Sequence, residues 1–157
     1  MRRHIDRLEG AHYERGYVYN THYHLIWVTK YRRRVFTTPE LVKDIKDLLL
    51  EVAGSYEIQV EAVEVMPDHV HMMVSFKPKR SATDVVKTLK GRSARFFFEK
   101  HPDLKGQMFW GGHLWSNSYY IGTTGKMSSD TVKRYIENQY VKAAEEKTPK
   151  TPDSSRD

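Results

Sequence analysis

The sequence predicts an α+β fold of the ferredoxin-like (RRM-like) type: an antiparallel sheet with helices on one face, plus a further helix at the C-terminal end. Strand-like and helix-like segments alternate in the order β-α-β-β-α-β, which is the order of that fold. The 157 residues fit one domain, and 39% hydrophobic residues are enough for one modest core. The sheet face without helices is expected to be free for a ligand.

The first predicted elements are a strand at residues 17–30 and a helix that begins at Thr38 and Pro39. The strand segment is rich in aromatic and β-branched side chains. Thr is a favoured N-cap, and Pro is favoured at the first helical position. Apolar residues then recur at helical spacing until Gly54, a residue type that often ends a helix.

A β-hairpin and a second helix are predicted next. Residues 57–66 and 69–76 have strand compositions, and a Pro-Asp turn joins them. Ser81 begins a motif that resembles a capping box, and the helix behind it is expected to extend to about Lys100.

The predicted domain covers residues 17–142 and closes with a fourth strand at residues 114–121 and a helix at about residues 129–142. The segment 122–129 between them contains glycines and small polar residues. It is therefore a candidate hinge for the last helix, although an ordinary surface loop has the same composition.

The two ends of the chain are expected to lack regular structure. Residues 1–16 are predicted to be a flexible basic arm, and residues 143–157 a disordered polar tail. No apolar run could span a membrane or act as a secretory signal, so we expect a cytoplasmic protein with no membrane partner. The absence of cysteine excludes disulfides, thiolate metal sites and a cysteine nucleophile.

The charge distribution indicates a nucleic-acid partner. The net charge is +6, and the first 36 residues contain eight Lys/Arg but only three Asp/Glu. Basic side chains can contact phosphates and aromatic rings can stack on unpaired bases, although Phe96, Phe97 and Phe98 are better explained as core. The candidate DNA-binding residues are Arg32, Arg33, Arg34, Lys87, Lys90, Arg92 and Arg95.

His69 and His71 are the first candidate site residues. Residues i and i+2 of a strand point to the same face, so the two imidazoles project together and could bind one metal ion. Two polar residues on a solvated strand face would show the same spacing. His22 and His24 form a second pair of this kind, and spacing does not choose between the two pairs.

Tyr135 is the second candidate. The last predicted helix places Tyr135 and Gln139 four residues apart, hence on one face. A tyrosine can attack a phosphodiester and form a covalent phosphotyrosine, but its ordinary pKa is about 10, so it needs assistance such as a metal ion on the phosphate. Mg²⁺ or Mn²⁺ could serve with two histidines and Gln139. A tyrosine that packs at the edge of an amphipathic helix also explains the pattern.

His69-Val70-His71, together with a helix-borne Tyr135 and Gln139, resembles the HUH nuclease class. More narrowly, the chain resembles the single-tyrosine transposases (TnpA type) of the insertion-sequence 200/605 group, over residues 17–142. The segments that match beyond these residues are 23–32, 65–71, 87–95, 114–120 and 135–139.

The resemblance implies a DNA transposase that cleaves and rejoins single-stranded DNA at imperfect palindromic hairpins near element ends. Tyr135 would form a 5′-phosphotyrosine and leave a free 3′-OH, while His69, His71 and Gln139 would hold one Mg²⁺ or Mn²⁺ ion. The resemblance further implies a homodimer in which the tyrosine helix of one subunit can complete the histidine pair of the other.

Three alternatives remain open at the level of the sequence. One is a domesticated relative that nicks palindromes without moving an element. Another is a non-catalytic, RRM-like nucleic-acid-binding module, which would need stacking aromatic residues where His69 and His71 are predicted. The third is a metal-dependent hydrolase that uses water and would not need Tyr135.

Overall fold

The computed structural model describes residues 11–14, 17–19, 22–108, 111–123 and 134–138. The strands are β1 (His12–Glu14), β2 (Tyr17–Tyr19), β3 (His22–Val28), β4 (Gln59–Met66), β5 (His69–Ser75) and β6 (Tyr120–Thr123), and the helices are α1 (Pro39–Ser55), α2 (Ala82–Lys100) and α3 (Pro102–Met108). Strands β3 to β6 form a sheet in the order β4-β5-β3-β6, and every neighbouring pair is antiparallel. Strands β1 and β2 form a separate hairpin.

This architecture confirms the predicted α+β, ferredoxin-like fold. Helices α1 and α2 pack against each other and cover one face of the sheet, where the hydrophobic core lies. The core residues with no exposed surface include Leu25, Trp27, Ile45, Leu49, Val70, Met72, Val74, Val85, Leu89 and Phe97.

The two long helices begin at the predicted capping residues. The side chain of Thr38 accepts a hydrogen bond from the backbone N–H three residues later at 3.2 Å, and Ser81 does the same at 3.1 Å. Pro39 occupies the first turn of α1. Helix α1 ends at Ser55, one residue after the predicted stop at Gly54.

The N-terminal segment differs from the prediction. Strand β1 lies inside the predicted flexible arm, and it pairs with β2 so that His12 is opposite Tyr19. The predicted strand at residues 17–30 is therefore two strands in two different sheets. Its composition indicates strand structure correctly but carries no information about the partner strand.

The fourth strand of the sheet is β6 (Tyr120–Thr123). It is shorter than the predicted strand at residues 114–121 and lies later in the chain. Leu114 and Trp115 are buried in the core, and an isolated bridge joins Trp115 to Thr29. The backbone carbonyls of Ser116 and Ser118 accept hydrogen bonds from a lysine of α2. Helix α3 has no counterpart among the predicted elements.

The prediction that the second sheet face is free is wrong in part. Ile26 and Val28 point to that face, yet they are 0% and 1% exposed. Tyr120 lies opposite Ile26 and its ring contacts Tyr135, so Tyr135 adjoins this side of the sheet at its β6 edge.

Several predicted features fall outside the described residues. They are the arm before residue 11, the loop beyond residue 123, the tail at 143–157 and both ends of the last helix, of which residues 134–138 are helical. No helix in the described part of the chain is long and apolar enough to cross a membrane.

Candidate active site

One face of the sheet collects the histidines of the two central strands. On β5, Val70, Met72 and Val74 are wholly buried on the helix side, so the alternating residues His69 and His71 point to the other side. We call that side the histidine face. It carries His22, His24, His69 and His71.

Asp68 fixes the orientation of His69. Its Oδ1 lies 2.8 Å from Nδ1 of His69, and its Oδ2 accepts a hydrogen bond from Nε of Arg32 at 2.7 Å. Burial opposes ionisation of Asp68, but the hydrogen bonds from His69 and Arg32 outweigh it and lower the pKa of the carboxyl below 3.8. A carboxylate on Nδ1 leaves Nε2 for a metal ion, which is the usual arrangement of metal-binding histidines.

A second turn supports the turn that carries Asp68. The carbonyls of Pro67 and Asp68 accept backbone hydrogen bonds from Val35 and Thr29 at 2.8 and 2.9 Å. Arg32, between those two donors, has a left-handed backbone with φ 53°. This conformation costs about 1–3 kcal/mol in a residue other than glycine. Here it accompanies the contact between the Arg32 guanidinium and Asp68.

His71 contacts a further histidine. Its Nε2 lies 2.9 Å from Nδ1 of His24 on β3, and the two ring centroids are 5.1 Å apart. Burial lowers the pKa of both His71 and His24 below 6.5. Burial thus favours the neutral form of both rings, and neutral imidazole is the form that binds metal ions.

Tyr135 is half-buried, and its hydroxyl lies 3.3 Å from the hydroxyl of Ser118. Its ring centroid is 6.0 Å from that of Tyr120. Burial raises the pKa of Tyr135 above 10.0, although the hydrogen bond with Ser118 opposes the shift. The phenol is therefore protonated at neutral pH, and it needs a group that stabilises negative charge before it can act as a nucleophile.

The strand register relates Tyr135 to the histidine pair. Tyr120 on β6 lies opposite Ile26 on β3, and Ile26 lies opposite His71 on β5. Opposed residues of antiparallel strands point to the same face, so these three form one row across the histidine face. Tyr120 folds over Gly122, where an added Cβ would lie 2.7 Å from the Tyr120 hydroxyl oxygen. Through its contact with Tyr120, Tyr135 thus adjoins the side of the sheet that carries the histidine pair of the same chain.

Lys90 of α2 holds the segment that contacts Tyr135. Its Nζ donates hydrogen bonds to the carbonyls of Ser116 and Ser118 at 2.6 and 3.1 Å. Burial lowers the pKa of Lys90 to about 8. Lys90, a predicted DNA-binding residue, therefore has a clear role inside the protein, which is to position Ser118.

The side chains of the three consecutive arginines at residues 32–34, all predicted to bind DNA, lie in different environments. Arg32 pairs with Asp68, and the Arg33 guanidinium lies 5.5 Å from the centroid of the Tyr31 ring. Arg34 is exposed.

The basic residues of α2 point in two directions. Lys87 and Arg95 line, with Lys90, a groove of about 730 Å³ between α2 and the segment before β6. Arg92 lies elsewhere on the helix, 5.5 Å from the centroid of the Tyr56 ring. The predicted DNA-binding residues therefore do not form one continuous patch.

The sequence pattern does not reveal two residues of the site. Asp68 is a residue type that is common in turns, so the sequence gives no sign of a role in the site. Its contact with the His69 ring becomes evident only from the hairpin geometry. Ser118 falls in the segment predicted as a strand. Gln139, the predicted third metal ligand, lies outside the described residues.

A separate group of ligating side chains lies farther along the histidine face. In the part of the chain that the structure describes, His12, His22 and Glu61 are the one group of three His, Cys, Asp or Glu residues whose ligand atoms lie within 4.8 Å of one another. These residues could hold a metal ion.

The family model for IS200-like transposases matches residues 17–139. The chain belongs to this family. The IS200-like assignment confirms the resemblance inferred from the sequence motifs, and it makes the protein an enzyme that cleaves and transfers DNA.

Individual relatives agree with the assignment. The ISDra2 transposase TnpA of Deinococcus radiodurans is 44% identical over 128 residues, 82% of this IS200-like chain and 90% of the relative. The transposase for insertion sequence element IS200 of Salmonella typhimurium is 29% identical over 121 residues, 77% of this chain and 78% of the relative. The crystal structure of a putative transposase from Deinococcus radiodurans R1 has a TM-score of 0.76 and 43% identity, with coverage of 82% of this chain and 98% of that chain.

Proposed function

We propose that this transposase cuts and rejoins single-stranded DNA at hairpin-containing element ends through a 5′-phosphotyrosine on Tyr135. The observation that carries the proposal is that Tyr135 contacts Tyr120, which points to the sheet face of His69 and His71, in an IS200-like transposase. A lone tyrosine or a lone histidine pair would not support it, because each is common by accident.

His69, His71 and Gln139 would hold one divalent ion, Mg²⁺ or Mn²⁺. The two histidines fit this role, because Asp68 occupies Nδ1 of His69 and burial favours the neutral form of His71. Imidazole ligands suit Mn²⁺ better than Mg²⁺, which prefers oxygen. When bound, the ion supplies Lewis acidity at the scissile phosphate.

Tyr135 would act as the nucleophile. A bond forms between its phenolic oxygen and phosphorus, and the bond from phosphorus to the 3′ oxygen breaks. The phenolic proton is transferred, through solvent, to the departing 3′ oxygen. The products are a 5′-phosphotyrosine and a free 3′-OH. Because the new ester conserves the energy of the broken bond, a 3′-OH can reverse the step and rejoin the strands without ATP.

Protein side chains would orient both reactants. The Ser118 hydroxyl holds the phenolic oxygen of Tyr135 before attack. The exposed side chains of Arg34, Lys87 and Arg95 are suited to phosphate contacts, which confer affinity and little sequence information.

The proposed enzyme acts as a homodimer on DNA hairpins, as the family resemblance implies. Residues 122–129 would be the hinge through which the tyrosine helix of one subunit serves the histidine pair of the other. Mixing a Tyr135→Phe subunit with a His71→Ala subunit tests this arrangement, because a shared site restores cleavage and separate sites do not.

A non-catalytic, RRM-like nucleic-acid-binding module is the less favoured hypothesis for the function. Such a module stacks bases on aromatic rings of its central strands. The central strands here are β3 and β5, both described throughout, and neither carries Phe, Tyr or Trp on the histidine face. The residues there are His22, His24, Ile26, Val28, His69, His71, Met73 and Ser75.

The test is a covalent-adduct assay. A labelled single-stranded palindrome is incubated with the protein and Mn²⁺ or Mg²⁺, and the mixture is analysed on a denaturing gel. We expect an adduct with the wild type and none with Tyr135→Phe. Tyr56→Phe, which removes a hydroxyl on the side of the helices, is the matched control and should keep the adduct. Unchanged cleavage by Tyr135→Phe would mean that water, not tyrosine, is the nucleophile.

A further inference from the structure

The end of the histidine face away from His69 brings together a second set of ligating side chains. His22 is the first residue of β3, and Nδ1 of its ring contacts Oε1 of Glu61 on β4. The ring of His12 on β1 lies beside them, with its centroid 5.6 Å from that of His22. The ligand atoms of the three residues lie within 4.8 Å of one another. Three separate strands thus contribute two imidazoles and one carboxylate to one point.

A β-bulge directs the carboxylate to this point. Val60 lies opposite Val74, and Ala62 lies opposite Met73, so Glu61 is an extra residue between two paired neighbours. Bulges of this kind redirect side chains out of the regular alternation. The carboxylate of Glu61 meets a histidine that lies two strands away in the sheet, since β5 runs between β4 and β3.

Ser75 lies beneath the group and completes its polar surroundings. It is opposite His22 in the strand register, and its side chain is wholly buried. Its hydroxyl oxygen is 2.8 Å from Nε2 of His12. Metal-binding histidines commonly bond through their second ring nitrogen to such a group, which fixes the ring and leaves the first nitrogen for the ion. The contact with Ser75 thus orients the His12 ring through Nε2.

We propose that His12, His22 and Glu61 bind a transition-metal ion such as Zn²⁺, and that this ion holds the β1–β2 hairpin against the main sheet. Two imidazoles and one carboxylate suit Zn²⁺ or Co²⁺, whereas Mg²⁺ prefers oxygen ligands throughout. The site is distinct from the histidine pair, because its ligand atoms come from His12, His22 and Glu61, whereas His71 contacts His24. The inference does not rest on the proposed cleavage chemistry.

Metal titration tests the site in a protein that lacks the other histidine pair. In a His69→Ala/His71→Ala background, without DNA, we expect one Co²⁺ per chain and the visible absorption of four-coordinate Co²⁺, which Zn²⁺ should displace. Glu61→Gln and His22→Asn should each weaken Co²⁺ binding by at least about tenfold. Glu64→Gln removes a carboxylate from the same strand and is the matched control, with binding unchanged.

Proteolysis of the hairpin provides the second readout. Trypsin can cleave after Arg15, between β1 and β2, and Zn²⁺ should slow that cleavage by at least about tenfold in the background protein, because the bound ion opposes hairpin opening. The protection should disappear in Glu61→Gln, whose far-UV circular dichroism should remain that of the folded chain. Absence of Co²⁺ binding in the background protein, or undiminished binding in Glu61→Gln and His22→Asn, would overturn the site. Equal cleavage with and without Zn²⁺ would overturn the role of the ion in holding the hairpin against the sheet.

Discussion

The two faces of the main sheet are built from the same strands but have different compositions. On the core face, Leu25 and Met72 are wholly buried against the helices. On the histidine face, to which the adjacent residue of each strand points, Ile26 is also wholly buried, while His71 opposite it keeps 25% of its side-chain surface. The core face therefore presents mainly apolar side chains to the helices, whereas the histidine face surrounds a few imidazoles with apolar neighbours.

This difference indicates how a sheet face can become a site without losing its stability. Burial on the histidine face lowers the pKa of His71 and His24, and thus favours the neutral, ligating form of both rings. A fully exposed strand face would leave part of the imidazole population protonated at neutral pH. A fully apolar face would have no ligands at all.

The largest expected effect concerns cleavage. His69→Ala and His71→Ala each remove a proposed ligand, and because a bound cation contributes several kcal/mol to catalysis, cleavage of a labelled hairpin should fall at least about 100-fold. The midpoint of urea unfolding should change little, since neither side chain belongs to the core. If His22→Ala abolished cleavage and His71→Ala did not, the histidine pair would be wrongly assigned.

The next effect concerns stability and uses two adjacent methionines on opposite faces. Met72→Ala leaves a cavity in the core and should lower the free energy of unfolding by about 2–5 kcal/mol. Met73→Ala, on the histidine face, should cost about 1 kcal/mol or less. Urea unfolding of both variants measures the difference, and equal losses would show that the two faces contribute alike.

A smaller effect tests the support of His69. Asp68→Asn keeps an oxygen near Nδ1 but removes the negative charge that holds the ring and pairs with Arg32. The Mn²⁺ concentration for half-maximal cleavage should rise about 10- to 100-fold. Glu64→Gln, which removes an exposed carboxylate 3.9 Å from Nδ1 of His71, should change it much less. An unchanged Mn²⁺ requirement in Asp68→Asn would contradict the orienting role.

The smallest expected effect is a pH dependence on the side of the helices. Burial lowers the pKa of Lys90 to about 8, from 10.5 in an unfolded chain. Between these two values the unfolded state binds more protons, so the contribution of Lys90 to the free energy of unfolding rises with pH. The stability of wild type relative to Lys90→Met should thus increase from pH 8 to pH 10. Lys87→Met, an exposed lysine on the same helix, should show no such trend, and a flat profile for Lys90→Met would contradict the shift.

Local sequence signals predict most of the fold, because its elements depend on short-range chemistry. Thr38 and Ser81 cap their helices through hydrogen bonds that span three residues. The alternation of His69, Val70 and His71 is enough to assign the two faces of β5. Such features depend only on residues that are close in the sequence, so they can be predicted without knowledge of the tertiary structure.

The errors arise where distant residues decide. Lys90 donates hydrogen bonds to the carbonyls of Ser116 and Ser118, within the segment predicted as the fourth strand, and the strand forms later, at β6. His12 joins His22 and Glu61 only because a hairpin and a bulge bring three strands together. The role of Asp68 likewise depends on Arg32, a residue 36 positions away. Spacing along the chain carries none of this information.

The central claim, that Tyr135 acts together with the histidine pair, is tested most directly by locating the DNA attachment. Trypsin cleavage after Arg134 releases a peptide that begins at Tyr135 and also contains Tyr140, and fragmentation by mass spectrometry distinguishes the two. We predict a nucleotide phosphate on Tyr135 in the wild-type adduct and no adduct in His71→Ala. Attachment at Tyr140 or any other side chain, or an undiminished adduct in His71→Ala, would contradict the account.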